Sequence, residues 1–164
     1  MVWRGLLILV LIAGSSFGVE IGAELGSALP VGGLETYNRS GLSGSIYGAV
    51  GEKVNLTLEL GYVMLAGKNN GYQLTLTGLQ LNVGYPVFKR SNSSIGPVAG
   101  AGVVLFQREI GGNRESGPAL SISVGGRWSQ TGGKIRTRLE LLPTFITDGK
   151  GWAAVVGIRL GAGL

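Results

Sequence analysis

Cysteine is absent from this chain, and so is histidine. An exported chain without cysteine has no disulfide framework, so its stability must come from a closed hydrogen-bonded sheet or a conventional core. Without histidine there is no Ser/His nucleophile pair and no His-ligated metal site. Charge is sparse as well: 14% of residues are charged, and a formal net charge of +5, scattered rather than clustered, argues against a nucleic-acid partner. Long apolar runs are missing apart from one near the amino terminus. No other stretch reaches the length of a membrane-spanning helix.

That one run belongs to MVWRGLLILVLIAGSSFG, where Arg4 precedes apolar residues Leu6 to Ala13, and small residues Ser16 and Gly18 precede a cleavage point before Val19. The run is too short to cross about 30 Å of hydrocarbon and has no basic flank behind it, so residues 1–18 read as a cleaved secretory signal rather than an anchor. Residues 19–164 then form one mature domain. The 31 glycines are too many for a helical protein. An exported membrane protein without spanning helices leaves the β-barrel.

What is present agrees. After the leader, eight alternating segments are separated by Gly, Asn, Ser, Asp or Pro, and eight is the smallest common closed membrane barrel. In Val19 to Leu29, Val19, Ile21, Ala23 and Leu25 are predicted outward, and Glu20, Gly22, Glu24 and Gly26 inward. Leu42 to Val50 sets Leu42, Ile46 and Val50 against Ser43, Ser45 and Tyr47. Val54 to Ala66 places Leu56, Leu58, Leu60, Tyr62 and Met64 outward against Thr57, Glu59 and Gly61. Tyr72 to Val87 begins with Tyr72, Leu74 and Leu76 outward and Gln73 and Thr75 inward, but its apolar set then moves to Leu79, Leu81, Val83 and Tyr85. That change of parity predicts a β-bulge near Thr77 and Gly78. The fifth segment, Ile95 to Gln107, is rich in Gly and Val and does not reveal its faces. Ala119 to Ser129 opposes Leu120, Ile122, Val124 and Trp128 to Ser121, Ser123, Gly125 and Arg127. The last segment, GWAAVVGIRLGAGL (Gly151 to Leu164), has one wholly apolar face, with Arg159 as the only charge on the other.

The seventh segment, Lys134 to Ile146, decides which side is which. Lys134, Arg136, Arg138 and Glu140 alternate with Ile135, Thr137, Leu139 and Leu141. A cation facing lipid at the bilayer midplane costs about 2–4 kcal/mol, so this set must face the lumen. By parity the expected lumen charge network is Glu20, Glu24, Glu59, Arg127, Lys134, Arg136, Arg138, Glu140 and Arg159, a structural set of ion pairs in which Arg138 meets Glu59 or Glu140. Such side chains fill a narrow interior and leave little room for a channel. Aromatic residues near segment ends predict two girdles, with Tyr72, Phe106, Phe145 and Trp152 at the outer rim and Tyr85, Phe88 and Trp128 at the inner one.

With its LPVGGLETYNRSGLSGSIYGAV stretch (Leu29 to Val50), and more weakly with PVAGAG around Pro97, Gly100 and Gly102 and the closing GIRLGAGL, the chain resembles the small bacterial outer-membrane β-barrel proteins of the OmpA-like and OmpX-like type, over roughly Val19 to Leu164. The resemblance implies an all-β, eight-stranded, antiparallel up-and-down transmembrane barrel. It also implies outer-membrane lipids and the barrel-assembly machinery as partners, and members range from structural barrels to adhesion or resistance factors. One departure is Leu164, because the family's last residue is commonly aromatic and is read by that machinery.

No motif for catalysis, metal or cofactor emerges. The carboxylates Glu20, Glu24, Glu59 and Glu140 read as lumen ion-pair partners rather than acid/base pairs, and Gly100-x-Gly102 lacks the context of a phosphate cradle. The triplets at Asn38, Asn55 and Asn92 read as turn and strand-end polar residues. The outer loops are expected at Val31 to Ser40, Gly67 to Gly71, Glu109 to Gly117 and Thr147 to Lys150, all short. Their basic residues, Arg39, Lys68, Arg114 and Lys150, are solvated charges within reach of lipopolysaccharide phosphates. The expectation is a non-catalytic, monomeric, structural barrel of the bacterial outer membrane. Two alternatives stand beside it: a barrel that binds or transports a small solute or lipid, and a soluble secreted barrel resembling a lipocalin, with its leucine ladders around a ligand.

Overall fold

The structure is a computed structural model and describes residues 19–51, 53–68, 72–149 and 151–164. The expected signal, residues 1–18, lies outside the described residues. In chain order the elements are β1 (Val19–Val31), α1 (Gly33–Tyr37), β2 (Gly41–Val50), β3 (Asn55–Ala66), β4 (Tyr72–Gly84), β5 (Phe88–Arg90), β6 (Ser93–Ile110), β7 (Asn113–Gly132), β8 (Ile135–Thr147) and β9 (Trp152–Gly163). β5 pairs only with the start of β6, as a short spur. The other eight strands are antiparallel staves, each beside its chain neighbour, with β4 paired to β6 and β9 returned to β1.

Closure satisfies backbone groups that hydrocarbon could not hydrate. Starting at Glu20, the register runs through Ala49, Thr57, Asn82, Gly100, Ser123, Thr144 and Val155 and comes back to β1 at Pro30. The wall therefore closes with a stagger of ten residues, for which eight strands tilt by about 40°. Val19 and Leu164 lie at one end of the barrel, called here the terminal end. α1 and the turns after β3, β6 and β8 lie at the other, the loop end.

Alternation sorts side chains as the charges of β8 demand. Outward positions form an exposed apolar belt that includes Leu25, Leu42, Leu58, Leu60, Leu81 and Leu160. The fifth segment now has faces: Ile95, Ala99, Ala101, Val103 and Leu105 look outward, and Gly96, Val98, Gly100, Gly102 and Val104 inward.

β4 contradicts the predicted bulge. Its ladders run unbroken, to β3 from Gln73 to Gly84 and to β6 from Tyr72 to Gly84, so parity never changes. Leu74 and Leu76 point inward and are buried, while Gln73 and Thr77 are exposed. The reason is that the buried charges of the lumen lie in its terminal half. At the loop end it holds an apolar cluster of Ala28, Leu65, Leu74, Leu76, Val104, Ala119, Ile146 and Val155, so an apolar residue there is no sign of lipid. Tyr72 and Phe106 pack against the same cluster and do not belong to an outer girdle. Phe145 and Trp152 do face outward and are exposed.

Two of the expected loops are ordered differently. Glu109 to Gly117 is not a loop but the tip of a β6–β7 hairpin, closed by Gly111 and Gly112 at φ 56° and 87°, conformations that favour glycine. Its ladder carries cross-strand ion pairs of Arg108 with Glu115 and of Arg114 with Glu109. The stretch after β1 folds into α1, whose last turn is fastened by Asn38: its side chain and its backbone N–H both donate to the Leu34 carbonyl, at 3.0 and 2.9 Å. The Arg39 N–H donates to Ala66 O, the Lys68 N–H donates to Tyr37 O, and Tyr37 stacks on Tyr72. This packing holds α1 against the loop end.

Candidate functional site

The polar half of the lumen is where chemistry concentrates, and inward positions of β1, β2, β3, β4, β7, β8 and β9 supply it. Arg159, on β9, sits between three carboxylates that arrive from different strands. Its Nη2 donates to Glu140 Oε2 at 2.9 Å, its Nη1 pairs with Glu59, and its Nε lies 3.4 Å from Glu24 Oε2. Arg127 pairs with the second oxygen of Glu140 and donates to Asn55 Oδ1 at 2.6 Å and to Thr57 Oγ1 at 3.3 Å. Asn82 Nδ2 donates to Glu59 Oε2 at 3.1 Å. Each buried charge in this group thus meets an opposite charge, the arrangement that offsets desolvation.

A second cluster lies nearer the terminal mouth. Glu20 receives the Tyr47 hydroxyl at 2.8 Å, Arg136 Nη1 at 2.9 Å and Arg138 Nη2 at 2.8 Å. The Arg138 guanidinium lies 4.0 Å from the centre of the Tyr47 ring, and its side chain is only 1% exposed. A cation over an aromatic face gains from the ring quadrupole, more so away from water. The two clusters have opposite imbalances, with two arginines to one acid here and three acids to two arginines around Arg159. Together they are neutral.

The structure brings eight of the nine sequence-predicted lumen charges into these two clusters. Lys134 is the exception: it is exposed in the two-residue turn with Gly133, whose φ of 64° closes the β7–β8 hairpin. Lys134 stands one residue before Ile135, the first paired residue of β8, where strand alternation does not yet apply. The expected partners of Arg138 are also corrected, since Glu59 and Glu140 are engaged by Arg159 and Arg127 and Arg138 pairs with Glu20. Among residues that charge alone did not single out, Tyr47, Asn82 and Asn55 complete the network. Inward parity was the available signal for all three, since Asn55 shares the face of Thr57 and Glu59.

A metal-binding reading has one geometric basis among the described residues: carboxylate oxygens of Glu24, Glu59 and Glu140 lie within 4.8 Å of one another. The cation at their centre is the Arg159 guanidinium, which meets all three.

Eight staves, a stagger of ten, an apolar exterior and a lumen crossed by ion pairs are now established. No family model and no curated protein matches the sequence. Solved structures do. Neisserial surface protein A, from Neisseria, superposes with a TM-score of 0.66 at 14% identity, covering 90% of this chain and 96% of that one. The chain has the fold of the small eight-stranded outer-membrane barrels. A major outer membrane protein of Thermus thermophilus gives a TM-score of 0.55 at 13% identity, over 88% of this chain and 98% of that one. The N-terminal β-barrel domain of Pseudomonas aeruginosa OprF gives 0.51 at 16%, over 87% and 96%. At such identities the likeness is one of fold, and the side chains that fill this barrel are read from its own structure.

Proposed function

We propose that the protein is a non-catalytic, monomeric barrel of the bacterial outer membrane, exported by residues 1–18, whose role is structural support of the envelope. The observation that carries this reading is the Arg159 junction. One side chain from β9 reaches acids on β1, β3 and β8, so the lumen is crossed by side chains where a channel would be clear. The exposed belt of leucine, isoleucine and valine supports a lipid surround and counts against a soluble lipocalin-like barrel. Outer-membrane lipids and the assembly machinery are the proposed partners. The exposed cations Arg39, Lys68 and Arg114 at the loop end suit contact with lipopolysaccharide phosphates.

Planar-bilayer recording on the refolded mature protein tests the sealed lumen. The expected trace is quiet, with at most brief leaks. Long-lived uniform conductance steps would overturn the structural reading and favour transport. Export makes a separate prediction: the intact mass of the protein recovered from the outer membrane should correspond to a chain beginning at Val19. A membrane-bound form that retains Met1 to Gly18 would remove the cleavage claim.

A further inference from the structure

The apolar half of the lumen has no part in that support role, and it is not filled. A cavity of about 380 Å³ opens at the loop end among Leu34, Leu74, Leu76, Phe106, Ala119 and Ile146. Below it a smaller chamber of about 80 Å³ shares Leu76 and Ile146 and has Glu59 and Arg159 in its floor. The upper volume is within the range of small-molecule sites, and its inner wall is made of aliphatic and aromatic side chains. Charged groups occur only toward its rim, at Arg108, Glu115 and Asp148.

The wall beside this cavity has a seam. The last β7–β8 pair at the loop end is Leu120 with Thr147, yet β7 extends from there to Asn113 bonded to β6 alone. Ala119 and Ile146, which line the cavity, stand at that seam. Immediately outside are Leu120 and Phe145, exposed to 62% and 46%, while Trp152, 70% exposed, reaches from the outer face to the cavity's mouth. Apolar lining and apolar belt therefore meet at the top of this ladder.

We propose that the loop-end half of the lumen binds a single acyl chain, supplied by a membrane lipid through the seam or by a free fatty acid, with the polar head held at the charged rim. A slender apolar chain suits a space that is walled by aliphatic and aromatic groups, open at the side facing lipid tails and floored by ion pairs that offer it nothing. The inference rests on the membrane placement proposed above.

Photolabelling of the full mature barrel in lipid nanodiscs tests it, because strand parity separates inside from outside. Two probes are used, palmitic acid bearing a diazirine on its chain and phosphatidylcholine bearing the same group on one acyl chain. The expected result is label on inward Leu76, Ala119 and Ile146 as well as on outward Leu120 and Phe145, with the inward label reduced at least fivefold in Ala119→Phe and the outward label unchanged. Ile146→Phe serves where Ala119→Phe does not fold. Inward label from the phosphatidylcholine assigns entry through the seam, and inward label from the fatty acid alone assigns a free acid. Label confined to outward residues with both probes would overturn the acyl site while leaving the membrane placement intact. Absence of outward label would refute that placement instead.

Discussion

Arg159→Leu is expected to destabilise the barrel more than the loss of any other lumen charge, by at least about 3–5 kcal/mol, the usual penalty for leaving a buried charge unpaired. Three carboxylates depend on this guanidinium. Among the described residues, Glu24 has no second arginine partner, Glu59 retains only Asn82, and Glu140 retains Arg127. Urea unfolding in lipid vesicles, followed by tryptophan fluorescence, should show a much lower midpoint or no folded protein. Arg159→Lys should fall between the two, since it restores the charge without the planar fork that reaches three acids at once. Arg114→Leu is the control: its pair with Glu109 is at the exposed hairpin tip and is worth no more than about 1 kcal/mol. Equal midpoints for wild type and Arg159→Leu would mean that water, not protein, solvates those acids.

Gly26→Val should be as damaging for a different reason. Gly26 faces Arg159 across the β1–β9 ladder, and a Cβ added there would run into the Ile158 carbonyl oxygen and lie 2.7 Å from the Arg159 Cα. Backbone cannot yield as a flexible side chain can, so the first and last strands would be forced apart, at about 3 kcal/mol or more. Gly48→Val is the matched control, because nothing lies within 4 Å of its added Cβ. Heat-modifiable migration on gels should be kept by Gly48→Val and lost or weakened in Gly26→Val. A Gly26→Val barrel as stable as wild type would refute the close approach of the two strands.

The stave count, the antiparallel order and most of the facing were legible because one requirement, charges away from lipid, fixes the parity of each strand that carries a lumen charge. The same requirement failed where it had nothing to act on. β4 carries no charge, so its apolar residues all read as lipid-facing, and the inward Leu74 and Leu76 imply a bulge that does not exist. Two-state patterning cannot distinguish an apolar lumen from an apolar membrane. β6 was opaque for a related reason, since glycine, alanine and valine suit either side. Ion-pair membership could be read from parity, but the identity of each partner could not. Arg138 finds Glu20 rather than Glu59 or Glu140 because the stagger sets which inward residues share a level, and no local pattern encodes the stagger.

The Arg159 junction also constrains how the chain folds. Glu24, Glu59 and Glu140 come from β1, β3 and β8, and their common cation arrives only on β9, the stave that also completes the wall. Before β9 docks, the other seven staves enclose carboxylates that keep their water and present two unpaired edges. Dehydration of the interior and sealing of the perimeter therefore occur in one step, between segments at opposite ends of the sequence. Loop-closure entropy opposes that encounter until it is nearly finished, which makes assembly late, cooperative and slow in its last stage. A chain shortened by its final strand should accumulate as an open, hydrated sheet, never as a smaller barrel.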